Sequence, residues 1–403
     1  MTGRTARRQL RISIVTETYP PEVNGVARTI GVMVGRMLER EHSILLVRPR
    51  QRGESAPSAD AELETLLRPG FPLPGYRELR MGLPAKRALL RAWRARRPDV
   101  VQVVTEGPLG GSAVSAARVL GIPVVSEFHT NFHDYSRHYG FGLLRPLVSS
   151  YLRRMHNRAD CTLVPTTELR RQLEAAGYRR LAVVGRGIDV GLFDSRHRRG
   201  ELRRSWGATE RDLVAISVGR LAPEKNLDLF VESVRAMQAV APRLKVVLVG
   251  DGPARAALAA ANRDFVFAGM RSGLALAEHY ASADIFLFPS LTETFGNVTA
   301  EAMASRLAIV AFDYAGAREW LRDRVSALLP SYGDRASFVT AAQELAADPA
   351  LRERLRDAAR NATHAMTWTR VIDELEAVLA DVVSQSPATR VAVGTAGVAP
   401  VRP

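Results

Sequence analysis

Cysteine is almost absent from this chain: Cys161 stands alone, which excludes an internal disulfide and a thiol-rich zinc site. No stretch approaches the ~18–20 uninterrupted apolar residues of a membrane span. Met1 to Leu10 carries charge without the apolar centre of a signal peptide, so the expected location is the cytoplasm. No Gly-x-Gly-x-x-Gly follows a predicted strand, which disfavours a nucleotide-dependent oxidoreductase, and a Walker loop is also missing. No Asp-x-Asp pair occurs, so a divalent metal bridging a diphosphate has no obvious ligands. No recognisable nucleic-acid module is found either, so no nucleic-acid partner is expected.

What is present is arginine, far more of it than lysine. Residues 1–200 hold 33 Lys+Arg against 18 Asp+Glu, a net of +15, and residues 201–403 hold 23 against 24, a net of −1. The whole excess therefore lies in the first half. It fits a surface that meets a polyanion, or merely arginine-rich solvated faces. At 403 residues with 46% apolar content, two or three domains with sizeable cores are expected.

Buried-strand patterns at 10–15, 43–47, 98–104 and 121–126 alternate with helical ones at 26–38 and 109–120. A second series has strands at 213–218, 244–249, 265–268, 284–289 and 308–312. Such alternation predicts an α/β chain with parallel sheets covered on both faces. The expected domains are 1–195 and 196–369, with a last helix at 370–384 and a patternless tail at 385–403. Two further segments, Leu83 to Arg97 and Phe141 to Arg158, read as basic amphipathic helices. They suit an anionic membrane surface, or equally a helix that covers a sheet.

The segment Asp284 to Val310, DIFLFPSLTETFGNVTAEAMASRLAIV, concentrates the chemistry. A buried strand runs into a polar turn, and helical spacing resumes from Phe295. Glu293 falls in the turn, whereas Glu301 is expected about two turns into the helix, roughly 10 Å along its axis. That separation suits one extended ligand held at two points, with a diphosphate on the free amides of Phe295, Gly296 and Asn297. A two-carboxylate hydrolase needs them about 5–9.5 Å apart around one bond. As a bare spacing the pair is weak, because glutamates in turns and on helices are common.

The surrounding letters, Pro-Ser-x-x-Glu-Thr-Phe-Gly followed by Glu-Ala-Met-Ala, resemble the Glu-(seven residues)-Glu signature of the retaining nucleotide-sugar glycosyltransferases of family four. The resemblance covers about residues 10–370. It implies the GT-B fold, two Rossmann-like domains facing each other across a cleft, with the last helix crossing back to the first domain. Arg220 and Lys225, in Val218-Gly-Arg-Leu-Ala-Pro-Glu-Lys-Asn226, resemble the family's diphosphate clamp. Gly250 and Gly252 form the turn against which the family places its nucleotide, and Gly269 and Met270 lie where the base is contacted. Gly25 would let the backbone approach phosphate. Asn24 departs from the Gly-Gly of many relatives, and the Asn-Gly-Val form resembles lipid-glycosylating members, including bacterial GDP-mannose-dependent mannosyltransferases. His129 matches the histidine that reaches the donor sugar.

The resemblance thus implies a hexosyltransferase in which His129, Arg220, Lys225 and Glu293 are catalytic and Glu301 holds the ribose. The expected reaction is metal-independent and uses no cofactor beyond the nucleotide-sugar donor, with mannose from GDP-mannose as first choice. The expected acceptor is a lipid or glycolipid hydroxyl at the inner face of the membrane, to which the N-terminal domain would bind peripherally. A UDP-sugar donor, a soluble polysaccharide precursor as acceptor, and a noncatalytic membrane- or nucleic-acid-binding scaffold with a relic sugar-nucleotide site are the alternatives. No unambiguous nucleophile stands out.

Overall fold

The computed structural model of the chain describes residues 9–22, 24–51, 54, 63–73, 76–129, 145–293 and 295–386. Among these, 9–129, 145–184 and 372–386 form one compact unit and 185–371 another.

The first unit is built on strands β1 (Arg11–Val15), β2 (Ser43–Pro49), β3 (Leu63–Arg68), β4 (Gly70–Leu73), β5 (Tyr76–Gly82), β6 (Val100–Val103), β7 (Val124–Glu127), β8 (Cys161–Val164) and β9 (Leu181–Val183). Seven of them pair in the order β3-β2-β1-β6-β7-β8-β9, all parallel. The remaining two, β4 and β5, form an antiparallel hairpin. The central strands are buried almost throughout, and mostly apolar, because helices cover both faces of the sheet. Val101 and Val103, for example, pack against Leu89 and Trp93 of the helix Lys86–Ala95. The Trp93 indole N–H donates to Ser13 Oγ at 3.1 Å, which satisfies both buried polar groups.

The second unit contains β10 (Val214–Val218), β11 (Lys245–Val249), β12 (Val266–Gly269), β13 (Ile285–Phe288) and β14 (Ala308–Ala311). They form a parallel sheet in the order β12-β11-β10-β13-β14. Its side chains alternate between two cores. Ile216, Val247 and Phe286 face one side, and Ala215, Leu248 and Leu287 the other. Chain order reverses between β10 and β13, the switch point at which open α/β sheets bind ligands beyond the strands' carboxyl ends.

The two units divide between residues 184 and 185, not between 195 and 196 as expected. Residues 185–195 pack into the second core: Ile188 and Phe193 are buried there, with Phe193 edge-on to Tyr280 at 5.8 Å. The last helix, Trp368–Ser384, begins two residues earlier than its pattern suggested. From residue 372 onward it belongs to the first unit, where Arg40 Nη1 lies 2.7 Å from both Asp373 and Glu376. The tail from residue 387, the 52–62 loop apart from Glu54, and the start of the second basic helix at 141–144 lie outside the described residues.

Asp284, which reads in sequence as the polar edge of a strand, is a largely buried anchor, its side chain 13% exposed. Its Oδ2 accepts from Val214 N at 2.9 Å and from Arg203 Nη1 at 3.1 Å. Arg203 is fully buried and also donates to the carbonyls of Thr209, Asp212 and Ser282. Arg203→Ala leaves a largely buried carboxylate and three carbonyls short of a partner. It should destabilise the second sheet by about 3 kcal/mol, read as a lower urea midpoint for amide exchange of β10 and β13. An unchanged midpoint would contradict this assignment.

Candidate active site

In the second unit the loops that leave β10, β11 and β12 are stitched together by main chain. Gly219 N donates to Val249 O (3.0 Å), Leu221 N to Asp251 O (2.9 Å) and Gly250 N to Gly269 O (2.9 Å). Gly250 has φ +137°, and a Cβ there would overlap the Gly219 carbonyl oxygen, so no larger residue fits this approach. Gly250, Gly252 and Gly269 therefore fall side by side at the strand ends, and Met270 beside them is exposed.

Across the switch point, Lys225 from the β10 loop meets Glu293 from the β13 loop. Lys225 Nζ lies 3.2 Å from Glu293 Oε2 and 3.3 Å from Ser290 Oγ, and 5.3 Å from the centre of the Phe288 ring. Arg220 belongs to the same loop as Lys225, with Nη1 3.9 Å from Glu224 Oε1. The loops are also joined by backbone, Leu291 N donating to Glu224 O at 3.3 Å. A hollow of about 260 Å³, its open mouth included, lies against Phe288, Ser290, Glu293, Gly296, Thr299 and Tyr314.

The helix after Glu293 starts at Asn297 rather than Phe295, because Gly296 adopts a left-handed cap (φ +85°). Glu301 accordingly sits little more than one turn in, roughly 6 Å along the axis at 1.5 Å per residue, and not two turns. It is buried, whereas the Glu293 side chain keeps 23% of its exposure. Sequence reading overlooked Gly316: a Cβ there would collide with the Phe295 carbonyl, so the helix Ala315–Trp320 presses directly on the Phe295–Gly296 backbone. It also overlooked Tyr332, whose hydroxyl donates to Leu291 O at 2.7 Å.

The first unit carries Gly25 and His129. Gly25 opens the helix Gly25–Leu38, and the departure at Asn24 has a structural cause: its side chain caps that helix by accepting from Ala27 N at 2.8 Å. His129 follows β7 and is nearly buried. Its Nε2 lies 2.8 Å from Glu127 Oε2, and its backbone N donates to Glu106 Oε1 at 3.2 Å. Gln102 Nε2 in turn donates to Glu127 Oε1 at 2.6 Å. Burial opposes ionisation of Glu106, yet the imidazoles of His156, 3.8 Å away, and of nearby His129 hold its carboxyl below the ordinary value.

Glu17, at the carboxyl end of β1, was not singled out in the sequence. Its Oε1 accepts from Leu109 N at 3.0 Å, so the carboxyl occupies the N-terminus of the helix Pro108–Leu120 at the β1–β6 switch point. Gly107 leaves the room, since a Cβ there would overlap that carboxyl. Burial, and secondarily the charge of Glu106, push the Glu17 carboxyl up to about 7 against the lowering effect of the Leu109 and Gly110 amides.

Two parallel α/β units, with a strand-end loop carrying cations opposite a glutamate in the second, match the expectation of a nucleotide-sugar-dependent hexosyltransferase of the GT-B fold. The comparisons agree. Residues 23–192 match the family model "Glycosyltransferase Family 4" and residues 212–348 match "Glycosyl transferases group 1". A GDP-mannose-dependent alpha-mannosyltransferase of Mycolicibacterium smegmatis is 35% identical over 380 residues, 92% of this chain and 98% of the relative. An alpha-monoglucosyldiacylglycerol synthase of Streptococcus pneumoniae is 24% identical over 358 residues, 85% of this chain and 80% of the relative. Sucrose-phosphate synthase from Thermosynechococcus elongatus superposes with a TM-score of 0.75 at 16% identity, covering 94% of this chain and 100% of that one. The chain belongs to glycosyltransferase family four.

The raised Glu17 carboxyl has a pH signature. Its folded-state value of about 7 lies above the ordinary 4.5, so the stabilisation brought by the proton is complete below about pH 4.5 and is lost as pH rises through about 7. Glu17→Gln, neutral at every pH, should match wild-type stability near pH 4.5 and exceed it by about 3 kcal/mol above pH 8. Urea unfolding across that range measures the gap, and a pH-independent difference would contradict the assignment.

Proposed function

We propose that this enzyme transfers mannose from GDP-mannose, with retention and without a metal ion, to a hydroxyl of a lipid or glycolipid at the cytoplasmic face of the membrane. The observation that carries the donor half is the meeting of Lys225 and Glu293, with Arg220 beside them, across the switch point of the second sheet. When the bond from the anomeric carbon to the diphosphate breaks, negative charge grows on the leaving group. Arg220, Lys225 and the amides around Gly296 supply fixed positive charge and dipoles to stabilise it, the task a divalent cation performs elsewhere. Glu293 accepts hydrogen bonds from donor-sugar hydroxyls and fixes the anomeric carbon for attack, and Glu301 serves the ribose. Gly250, Gly252, Gly269 and Met270 form the nucleotide's bed, and Gly25 and His129 are the first unit's contributions to the donor. The acceptor hydroxyl attacks from the face the diphosphate leaves, forming the new C–O bond, and its proton passes to a leaving-phosphate oxygen. Guanine as the base is supported by the Asn24-Gly25-Val26 form and by the mycolicibacterial relative's name.

The lipid acceptor and peripheral membrane binding are supported by the first unit's basic surface and by the glycolipid enzyme among the relatives. The helix Lys86–Ala95 offers only its charged face, Lys86, Arg87, Arg91 and Arg94, because Leu89 and Trp93 are consumed by the core. The helix Arg145–Asn157 is different, exposing Leu147 (69%) and Tyr151 together with Arg153 and Arg154. No helix among the described residues is long and apolar enough to cross a membrane.

Thermal-shift titration in chelator against GDP-mannose, GDP, UDP-glucose and UDP tests the donor. Guanine nucleotides should raise the melting temperature selectively by mass action. A uridine-selective shift would move the reading to a UDP-sugar, and no shift would remove the donor site. Glu293→Ala should cut turnover about a hundredfold or more while GDP affinity holds or improves, since Lys225 is released from its partner. Unchanged turnover would remove Glu293 from the catalytic machinery, and a wild type that forms no product would favour a scaffold.

A further inference from the structure

Between Arg220 and Lys225 the chain places a third charged residue, Glu224, inside the 3-10 turn Pro223–Lys225. Its side chain is only 6% exposed, and Oε1 lies 3.9 Å from Arg220 Nη1, beyond hydrogen-bond reach. Oε2 has no hydrogen-bond partner among the described residues. The Glu224 carbonyl meanwhile takes Leu291 N at 3.3 Å, so this residue sits at the joint between the loop of Lys225 and the loop of Glu293. Buried polar atoms in folded chains are nearly always paired, and an orphaned carboxylate oxygen destabilises the fold that holds it. A glutamine or an apolar residue would fill this position at lower cost to stability. A carboxylate kept there, within about an ångström of a contact with a guanidinium, calls for a use outside the folded state's own stability.

We propose that Glu224 is a positioning residue for Arg220, forming a charge-assisted hydrogen bond to one edge of the guanidinium when the other edge engages the diphosphate of a nucleoside-diphosphate ligand. The inference rests on the donor site assigned above. Arginine suits this part because its planar fork of donors serves two anions at once in a fixed plane. The 3.9 Å separation closes by side-chain rotation alone, and Glu224 then limits the directions in which Arg220 points. Donor affinity depends on the pair, although Glu224 never touches the ligand.

The test is Glu224→Gln, which keeps size and burial and removes the charge, measured by calorimetric titration with GDP and with UDP and by thermal melting. For whichever nucleotide the wild type binds, affinity should weaken about tenfold, with KM for the donor rising more than kcat falls. The melting temperature should hold or rise. In an Arg220→Ala background the same change should weaken binding less than twofold, because the group through which Glu224 acts is gone. A variant that binds as well as wild type overturns the proposal, as does one that melts several degrees lower or fails to fold, which marks a structural role. Undiminished weakening in the Arg220→Ala background also overturns it. Wild-type protein that binds neither GDP nor UDP overturns the donor-site reading itself, and this inference with it.

Discussion

Lys225 and Glu293 are 3.2 Å apart because β10 and β13 are neighbours in the second sheet although two strands and three helices separate them in the chain. That single adjacency brings the loop of Arg220 and Lys225 to the loop of Glu293. Parallel strands release their loops at the same edge of the sheet, and only at the reversal of chain order do two such loops diverge and leave a hollow. The reversal here lies between β10 and β13, so the cations of one loop and the carboxylate of the other meet at that point. The remaining features serve this edge. Gly219, Gly250 and Gly269 allow three strand ends to bond backbone to backbone, Gly316 lets a helix seat against Phe295 and Gly296, and Arg203 with Asp284 fixes the starting ends of β10 and β13.

The two sheets share one topology and use its switch point in opposite ways. In the first unit the amides that open the helix Pro108–Leu120 are taken by the chain's own Glu17, so that anion-binding position is already filled. In the second, the corresponding helix Asn297–Ala304 opens on glycine with no side-chain cap, and its partial positive charge remains for a ligand. The contrast fits a division in which the second unit receives the charged nucleotide and the first a neutral hydroxyl compound.

The alternation of buried strands with helices is readable in the letters because a parallel sheet covered on both faces needs runs such as Val-Ala-Ile-Ser-Val and Ile-Phe-Leu-Phe, which few other structures require. Arg220, Lys225 and the two glutamates stand out in the letters because their frame of proline, glycine and aromatic residues is distinctive. The edge strand Leu63–Arg68 and the hairpin through Pro72 were not, since a half-buried edge lacks a continuous apolar run. Glu127, Gln102 and Glu106 around His129 were equally hidden: each is an ordinary residue until the register of β6 and β7 brings them together. The helix Lys86–Ala95 shows the limit of periodicity. Its amphipathic pattern fits a membrane as well as a sheet, and only the burial of Leu89 and Trp93 separates the two.

Hydrogen–deuterium exchange of the metal-free protein with and without saturating GDP tests the central claim most directly, that a nucleoside diphosphate rests on the strand-end loops of the second sheet. The account predicts slowed exchange in 219–225, 249–253 and 290–298. Protection confined to other segments, or appearing only after a divalent metal is added, would contradict it.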